Sequence, residues 1–291
     1  MEQLVYINGE IINRDKAQIP VSDRGLLYGY GLFETMRSYN GYVFCLDRQT
    51  QARLVHSASI LGIRDALETQ KLETGVSRTL KANGLDNSRI RLTVTAGEGG
   101  RSLTVAPAKL TTIITVENLA LPSPEVYAKG LRTSIVSIRR NSRSPMCYLK
   151  TLGYLENMLA HAEAVAVGSD EAILLNVDGY VAECSASNIF IVEAGSIITP
   201  PVDAGILPGI TRGVVIELAD RLGIQLAHGT LSIKRLMNAE EAFITNSVIE
   251  IMPIATIDRK PVGSGSRGRV TERLTEEYRR LTVSATRCPC L

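Results

Sequence analysis

The sequence is poor in the residues that mark metal proteins, secreted scaffolds, membrane proteins and nucleic-acid binders. Three histidines leave little from which to build a histidine-based metal site, so no metal is expected. The five cysteines, Cys45, Cys147, Cys184, Cys288 and Cys290, are odd in number and lack zinc-type spacing, which argues against a disulfide framework. Cys288-Pro289-Cys290 reads as an unconstrained tail. No apolar run approaches the roughly eighteen residues of a membrane span, and Met1-Glu2-Gln3-Leu4 lacks the charged region and apolar core of an export signal. No membrane partner and a cytoplasmic location are the expectations. A formal charge of +2 with interleaved acids and bases offers no electrostatic footprint for nucleic acid. One local exception is Arg139-Arg140-Asn141-Ser142-Arg143, which reads either as a solvated loop or as a contact for an anion or substrate.

What is present suffices for a globular protein: 291 residues, 45% of them hydrophobic, can form one large domain or two ordinary ones. Val5-Tyr6-Ile7, Asn8-Gly9 and Ile11-Ile12 predict a hairpin, and the device recurs at Phe33 to Tyr39, Asn40-Gly41 and Tyr42 to Leu46. Apolar spacing from Ala52 to Leu61, closed by Gly62, and from Leu72 to Leu80, before Asn83-Gly84, predicts two helices. Ile90 to Thr95 and Leu110 to Val116 read as strands, completing an α+β domain over residues 1–118. Two prolines in Leu119-Ala120-Leu121-Pro122-Ser123-Pro124 make residues 119–125 the linker candidate. In the second domain, 126–291, Leu155, Met158, Leu159, Ala162 and Val165 recur at helical spacing, with Gly168 as a stop. Ala172 to Asn176, Tyr180 to Glu183, Asn188 to Val192 and Ile197 to Thr199 predict a meander of short strands. Ile233 to Met237 and Thr271 to Leu281 are helical candidates, and Ala242 to Asn246 a strand.

Two segments carry the chemistry. Lys150 lies in Tyr148-Leu149-Lys150-Thr151-Leu152-Gly153-Tyr154-Leu155-Glu156-Asn157, among aromatic and aliphatic neighbours. Burial in such surroundings disfavours the ammonium form and leaves an amine that attacks a carbonyl or carries a proton, although apolar neighbours also flank snorkelling lysines. Thirty-three residues on, Asp178-Gly179-Tyr180-Val181-Ala182-Glu183-Cys184-Ser185-Ala186-Ser187-Asn188-Ile189-Phe190 sets an acid between two predicted strands. Further segments, in order, are Tyr28-Gly29-Tyr30-Gly31-Leu32-Phe33-Glu34-Thr35, Ala52-Arg53-Leu54 with Ser57-Ala58, Leu207-Pro208-Gly209-Ile210-Thr211-Arg212, and Ile244-Thr245-Asn246-Ser247.

Together, from about Tyr6 to about Pro261, these segments resemble the class IV aminotransferases, the fold-type IV enzymes that use pyridoxal 5′-phosphate. The resemblance implies a two-domain α+β fold like that of D-amino-acid aminotransferases, with a smaller N-terminal domain and a larger C-terminal one built on a barrel-like meander. It implies that Lys150 bonds to the cofactor's aldehyde and that Glu183 keeps the pyridine nitrogen protonated. Arg53 corresponds to the family's phosphate-binding arginine, and Thr245 to a residue that completes the phosphate cup. Gly209-Ile210-Thr211 precedes the apolar-periodic Val214, Val215, Leu218 and Leu222, so the amides of Ile210 and Thr211 fall at a helix N-terminus suited to an anion. Tyr154, one turn beyond Lys150 if the segment is helical, would approach the cofactor's phenolic oxygen. Tyr30, Arg37 and Arg101 are candidates for the substrate carboxylate.

Three activities share this scaffold: transamination of L-branched or D-amino acids, transamination of (R)-amines, and lysis of aminodeoxychorismate to pyruvate and 4-aminobenzoate. The four-residue step from Lys150 to Tyr154 departs from the standard branched-chain type, Ala96 and Glu98 depart from the lyase pattern in Thr95-Ala96-Gly97-Glu98-Gly99-Gly100-Arg101, and no arginine-x-histidine pair of the D-amino-acid type is present. The expectation is an aminotransferase acting between an aliphatic, branched-chain-like amino acid or amine and a 2-oxo acid. The lyase is the alternative, and a non-catalytic binding protein on the same fold the alternative of another class. By resemblance the partners are small molecules and a second copy of the chain in a homodimer.

Overall fold

The computed structural model describes residues 3–99 and 109–287, with two compact units: the first comprises Met1–Ala120, Leu149–Gly153 and Thr282–Leu291, the second Leu121–Tyr148 and Tyr154–Leu281.

The first unit begins with β1 (Leu4–Ile7) and β2 (Glu10–Asn13), joined at Asn8 and Gly9, both at positive φ. A short helix α1 (Arg24–Tyr28) leads into β3 (Gly31–Tyr39), which turns at Asn40-Gly41 into a two-residue β4 (Tyr42–Val43), shorter than the predicted run to Leu46. A π-helical turn over Arg48–Leu54 passes into α2 (Val55–Ile60), and α3 (Thr69–Asn83) ends on Gly84 in the left-handed region. Next come β5 (Ser88–Thr95) and β6 (Thr111–Asn118), giving an antiparallel sheet of order β2-β1-β6-β5-β3-β4. Leu72, Val76 and Leu80 fall one helical turn apart on α3 and are buried against Tyr6, Ile90, Leu92 and Ile114 from the sheet.

The second unit contains α4 (Pro124–Lys129), β7 (Leu131–Arg140), α5 (Leu155–Ala166), β8 (Glu171–Asn176), β9 (Val181–Cys184), β10 (Asn188–Glu193) and β11 (Ser196–Thr199). It continues through α6 (Ile210–Arg221), β12 (Leu226–His228), α7 (Ile233–Met237), β13 (Glu241–Asn246), β14 (Glu250–Ile257) and β15 (Lys260–Pro261), and α8 spans Arg269–Arg287. The ladder order is β12-β11-β10-β13-β14-β7-β8-β9, with β15 on β14. This corrects the simple meander expected from residue 172 to 199. Consecutive β9 and β10 are not ladder neighbours; the chain turns through Ser185–Ser187, where the Cys184 amide donates to the Ser187 carbonyl at 2.7 Å, and joins β13 instead. The sheet curls into a half-barrel.

Helix α5 forms where its spacing predicts, but its apolar stripe faces outward. Leu155 is 66% and Met158 62% exposed, while Asn157, Ala160 and Ala164 are buried. The small side chains allow the helix to lie close to Val136, Ala172 and Leu174 of β7 and β8. Among the described residues no helix is long and apolar enough to cross a membrane, and no His, Cys, Asp or Glu cluster is arranged to hold a metal ion.

Candidate active site

In the first unit the segment around Lys150 is extended and not helical, which corrects the one-turn relation of Lys150 to Tyr154; helix α5 starts only at Leu155, with Tyr154 as its N-cap residue. The Phe33 amide donates to the Lys150 carbonyl at 2.9 Å, the Leu152 amide to the Gly31 carbonyl at 3.1 Å, and Leu32 faces Thr151 in an antiparallel bridge. The lysine is therefore carried on a strand segment annealed to β3. Gly31 has no room for a side chain, because an added Cβ would press on the Val94 carbonyl and the Thr95 backbone.

Lys150 Nζ stands 4.5 Å from the centroid of the Phe33 ring, and the Arg91 guanidinium, from β5, stands 3.9 Å from the same centroid. An aromatic ring attracts cations through its quadrupole, so the Phe33 ring attracts both positive groups. The next residue, Glu34, is paired with Arg53: Arg53 Nε donates to Glu34 Oε1 at 2.9 Å and a second guanidinium nitrogen makes a short bond to Oε2, both partners being buried. Tyr30 donates its hydroxyl to the Leu61 carbonyl at 2.6 Å and lies under the Arg24 guanidinium, while Arg37 stacks on Tyr39 at 4.5 Å. Arg101 falls outside the described residues. Arg91 was not a candidate from sequence: its relation to Phe33 depends on the pairing of β3 with β5, which no local pattern reveals.

In the second unit Glu183 ends a chain of buried polar contacts. Its Oε1 pairs with Arg140 at 2.8 Å, and its Oε2 accepts from Asn188 Nδ2 at 3.1 Å and from the Leu207 amide at 3.0 Å. The solvated-loop reading of the basic run does not fit Arg140, which is buried at the end of β7; a local run of charge cannot show that its strand points one member inward. Burial pushes the Cys184 thiol well above its usual range, so the group next to Glu183 remains neutral.

Asn188 also donates to the Leu207 carbonyl at 2.9 Å, and a Cβ added to Gly209 would run into its Oδ1. Gly209 is thus held against Asn188 as the N-cap residue of α6, with no side chain capping the amides that follow. Across the β10–β13 ladder Asn188 is paired with Thr245, whose buried Oγ1 has no hydrogen-bond partner. Behind the helix start, Arg212 donates to Thr199 Oγ1 at 3.3 Å and the Pro200 carbonyl at 3.0 Å and meets His228 Nδ1 at 3.0 Å, tying α6 to β11 and β12. Tyr154 donates its hydroxyl to the Ser185 carbonyl at 3.0 Å.

Residues 31–257 match the model of the amino-transferase class IV family. A putative branched-chain-amino-acid aminotransferase of Methanocaldococcus jannaschii is 38% identical over 279 residues, covering 94% of this chain and 95% of that protein. An aminodeoxychorismate lyase of Bacillus subtilis is 34% identical over 95% of this chain and 94% of its own. A branched-chain aminotransferase from the thermophilic archaeon Thermoproteus uzoniensis, solved with norvaline, superposes with a TM-score of 0.89 at 35% identity, covering 98% of this chain and 96% of the other. The chain belongs to the class IV aminotransferases, a family that works with pyridoxal 5′-phosphate.

The residues present fit that group. A buried threonine hydroxyl without a partner and an uncapped helix start are donors that a phosphate satisfies, since the amides at a helix N-terminus carry partial positive charge. A buried carboxylate paired with an arginine suits a pyridine nitrogen.

Proposed function

We propose that this chain is a pyridoxal-phosphate-dependent aminotransferase that moves an amino group between an aliphatic, branched-chain-type amino acid and a 2-oxo acid. The observation that carries the reading is the buried Glu183 carboxylate, linked through Asn188 to the start of α6 and to the strand of Thr245. When bound, the cofactor supplies an aldehyde that takes up the substrate's amino group and a ring that withdraws electrons from Cα. Lys150 would hold the aldehyde through its Nζ, and the same amine would carry the proton at the substrate's Cα. Glu183, held in place by Arg140, would face the pyridine nitrogen and favour its protonated form. Thr245 Oγ1, the amides of Ile210 and Thr211, and Arg53 would bind the phosphate, and Tyr154 would meet the phenolic oxygen.

For the substrate carboxylate, Arg91, which shares the Phe33 ring with Lys150, joins Tyr30, Arg37 and Arg101 as a candidate. A homodimer belongs to the same proposal and is supported by the outward apolar stripe of α5; size measurement with Leu159→Glu tests it. The domain boundary at residues 119–125 and a cytoplasmic location complete the reading. The full-length likeness to a lyase favours one second reading, aminodeoxychorismate lysis. Purified protein with pyridoxal 5′-phosphate, leucine and 2-oxoglutarate is expected to yield glutamate; pyruvate from aminodeoxychorismate without amino-group transfer would establish the lyase instead.

A further inference from the structure

Ser185 lies two residues beyond Glu183, and every polar atom of it is engaged. Its amide is shared between the Ala172 carbonyl at 3.1 Å and Glu171 Oε1 at 3.2 Å, and its hydroxyl makes a short hydrogen bond to the same carboxylate oxygen. Glu171 is buried at the start of β8 and also accepts from the Ala172 amide at 2.7 Å. On the other side the Ser185 carbonyl receives two donors, Tyr154 Oη at 3.0 Å and Asn157 Nδ2 at 2.7 Å. Asn157 Oδ1 in turn faces Arg140 Nη1 at 3.5 Å, the same guanidinium that pairs with Glu183. His161 Nδ1 lies 3.4 Å from the Ser185 hydroxyl and 3.7 Å from Glu171. Tyr154, Asn157 and His161 are spaced so that one face at the start of α5 meets the Ser185 turn.

The inventory of donors gives this arrangement a consequence. A phenol has one proton to donate, and here it goes to Ser185; a carbonyl has two lone pairs, and here both are used. If Tyr154 gives its proton to another acceptor, Asn157 still satisfies the carbonyl, so no bare buried oxygen is left behind. Without Asn157 the same move would strand it. Without Glu171 the Ser185 amide would keep only the Ala172 carbonyl, and the side chain would lose the bond that anchors it on the far side of the turn from Tyr154.

We propose that Glu171 and Asn157 are positioning residues for Tyr154: Glu171 anchors the Ser185 side chain and shares its amide with the Ala172 carbonyl, Asn157 keeps the Ser185 carbonyl bonded, and Tyr154 can thereby turn its single hydroxyl proton to the phenolic oxygen of pyridoxal 5′-phosphate. This rests on the reading that Tyr154 meets that oxygen.

The test is a pH titration of the near-visible absorbance of holoenzyme loaded with pyridoxal 5′-phosphate. Hydrogen bonding at the phenolic oxygen sets the midpoint of the spectral change, so Tyr154→Phe is expected to move it by about one pH unit, the size of one lost hydrogen bond. Glu171→Ala and Asn157→Ala are each expected to move the midpoint in the same direction, and to move it no further when placed on Tyr154→Phe. Glu171→Gln, whose amide oxygen still accepts from Ser185, is expected to return it to the wild-type value. The proposal is overturned if Tyr154→Phe shifts the midpoint while Asn157→Ala and Glu171→Ala leave it in place, or if their shifts persist in full without the tyrosine hydroxyl. Should Glu171→Ala not fold, Asn157→Ala with its Tyr154→Phe double variant decides the matter. A wild-type protein that binds no cofactor, or a Tyr154→Phe variant with an unaltered spectrum, removes the underlying reading and this proposal with it.

Discussion

Arg140 and Glu183 form a buried ion pair at 2.8 Å that joins the end of β7 to the end of β9. The arginine comes from a run that resembles a surface patch in sequence, and the acid from a turn-rich segment 43 positions later. A buried pair of this kind contributes little by existing, but breaking it leaves a bare charge in a low-dielectric site. Arg140→Ala is therefore expected to cost about 3–5 kcal/mol of stability, read as a lowered denaturation midpoint. Arg140→Met combined with Glu183→Gln is expected to recover most of that loss while remaining poor in catalysis. Equal stability of Arg140→Ala and wild type would refute the pair's role.

Lys150→Ala is expected to abolish the near-visible absorbance given by added pyridoxal 5′-phosphate and to lower amino transfer by at least about a hundredfold. Denaturation should change little, because the bonds from Lys150 and Leu152 to β3 run through the backbone. A variant that keeps both colour and turnover would show that another amine holds the cofactor.

Thr245 offers a contrast between binding and stability. Its hydroxyl is buried without a partner, an arrangement that costs the empty protein free energy. Thr245→Val removes that cost, so the apoprotein should be as stable as wild type or more so. The cofactor should bind roughly tenfold more weakly, the loss of about one hydrogen bond. Unchanged cofactor affinity, measured by equilibrium titration of the apoprotein, would exclude Thr245 from the phosphate cup.

The two perturbed histidines make opposite contributions to the pH dependence of stability. The nearby Glu171 carboxylate, 3.7 Å from its ring nitrogen, raises His161 above the ordinary 6.5. Its contribution is complete below 6.5 and is lost as pH rises through the raised value. Burial first, and the Arg212 charge second, lower His228 below 6.5, so the unfolded chain takes up that proton first. Its contribution is present above 6.5 and is lost as pH falls through the lowered value. His228→Gln is expected to flatten the acid side of the stability profile and His161→Gln the side just above 6.5, as urea midpoints across that range will show. The reverse assignment of sides would contradict both contacts.

Local signals were legible wherever local chemistry decides the structure. Asn8-Gly9 and Asn40-Gly41 occupy the positive φ that hairpin turns require, and Gly84 ends α3 in the left-handed region. The Lys150 and Glu183 segments were found because each is continuous in the chain. Less accessible was whatever depends on partners far away. β7 and β14, parallel neighbours in the middle of the larger sheet, carry no hairpin signal, and neither was anticipated. The stripe on α5 was a correct helix signal, yet periodicity alone does not say which face is covered; Ala160 and Ala164 pack inward because the sheet beneath leaves space for little else. Arg140, Arg91 and Asn188 gain their meaning from ladder register and from burial, which the one-dimensional pattern does not contain.

The return of residues 149–153 to β3 limits how this protein can be divided. A fragment ending at Ala120 spans nearly all of the first compact unit and looks like a natural piece to clone. It lacks the Lys150 carbonyl that accepts from Phe33 and the Leu152 amide that donates to Gly31, so an edge of its sheet is left bare. Exposed edges of that kind recruit other chains, and such a truncation is headed for inclusion bodies unless residues 149–153 are spliced back on.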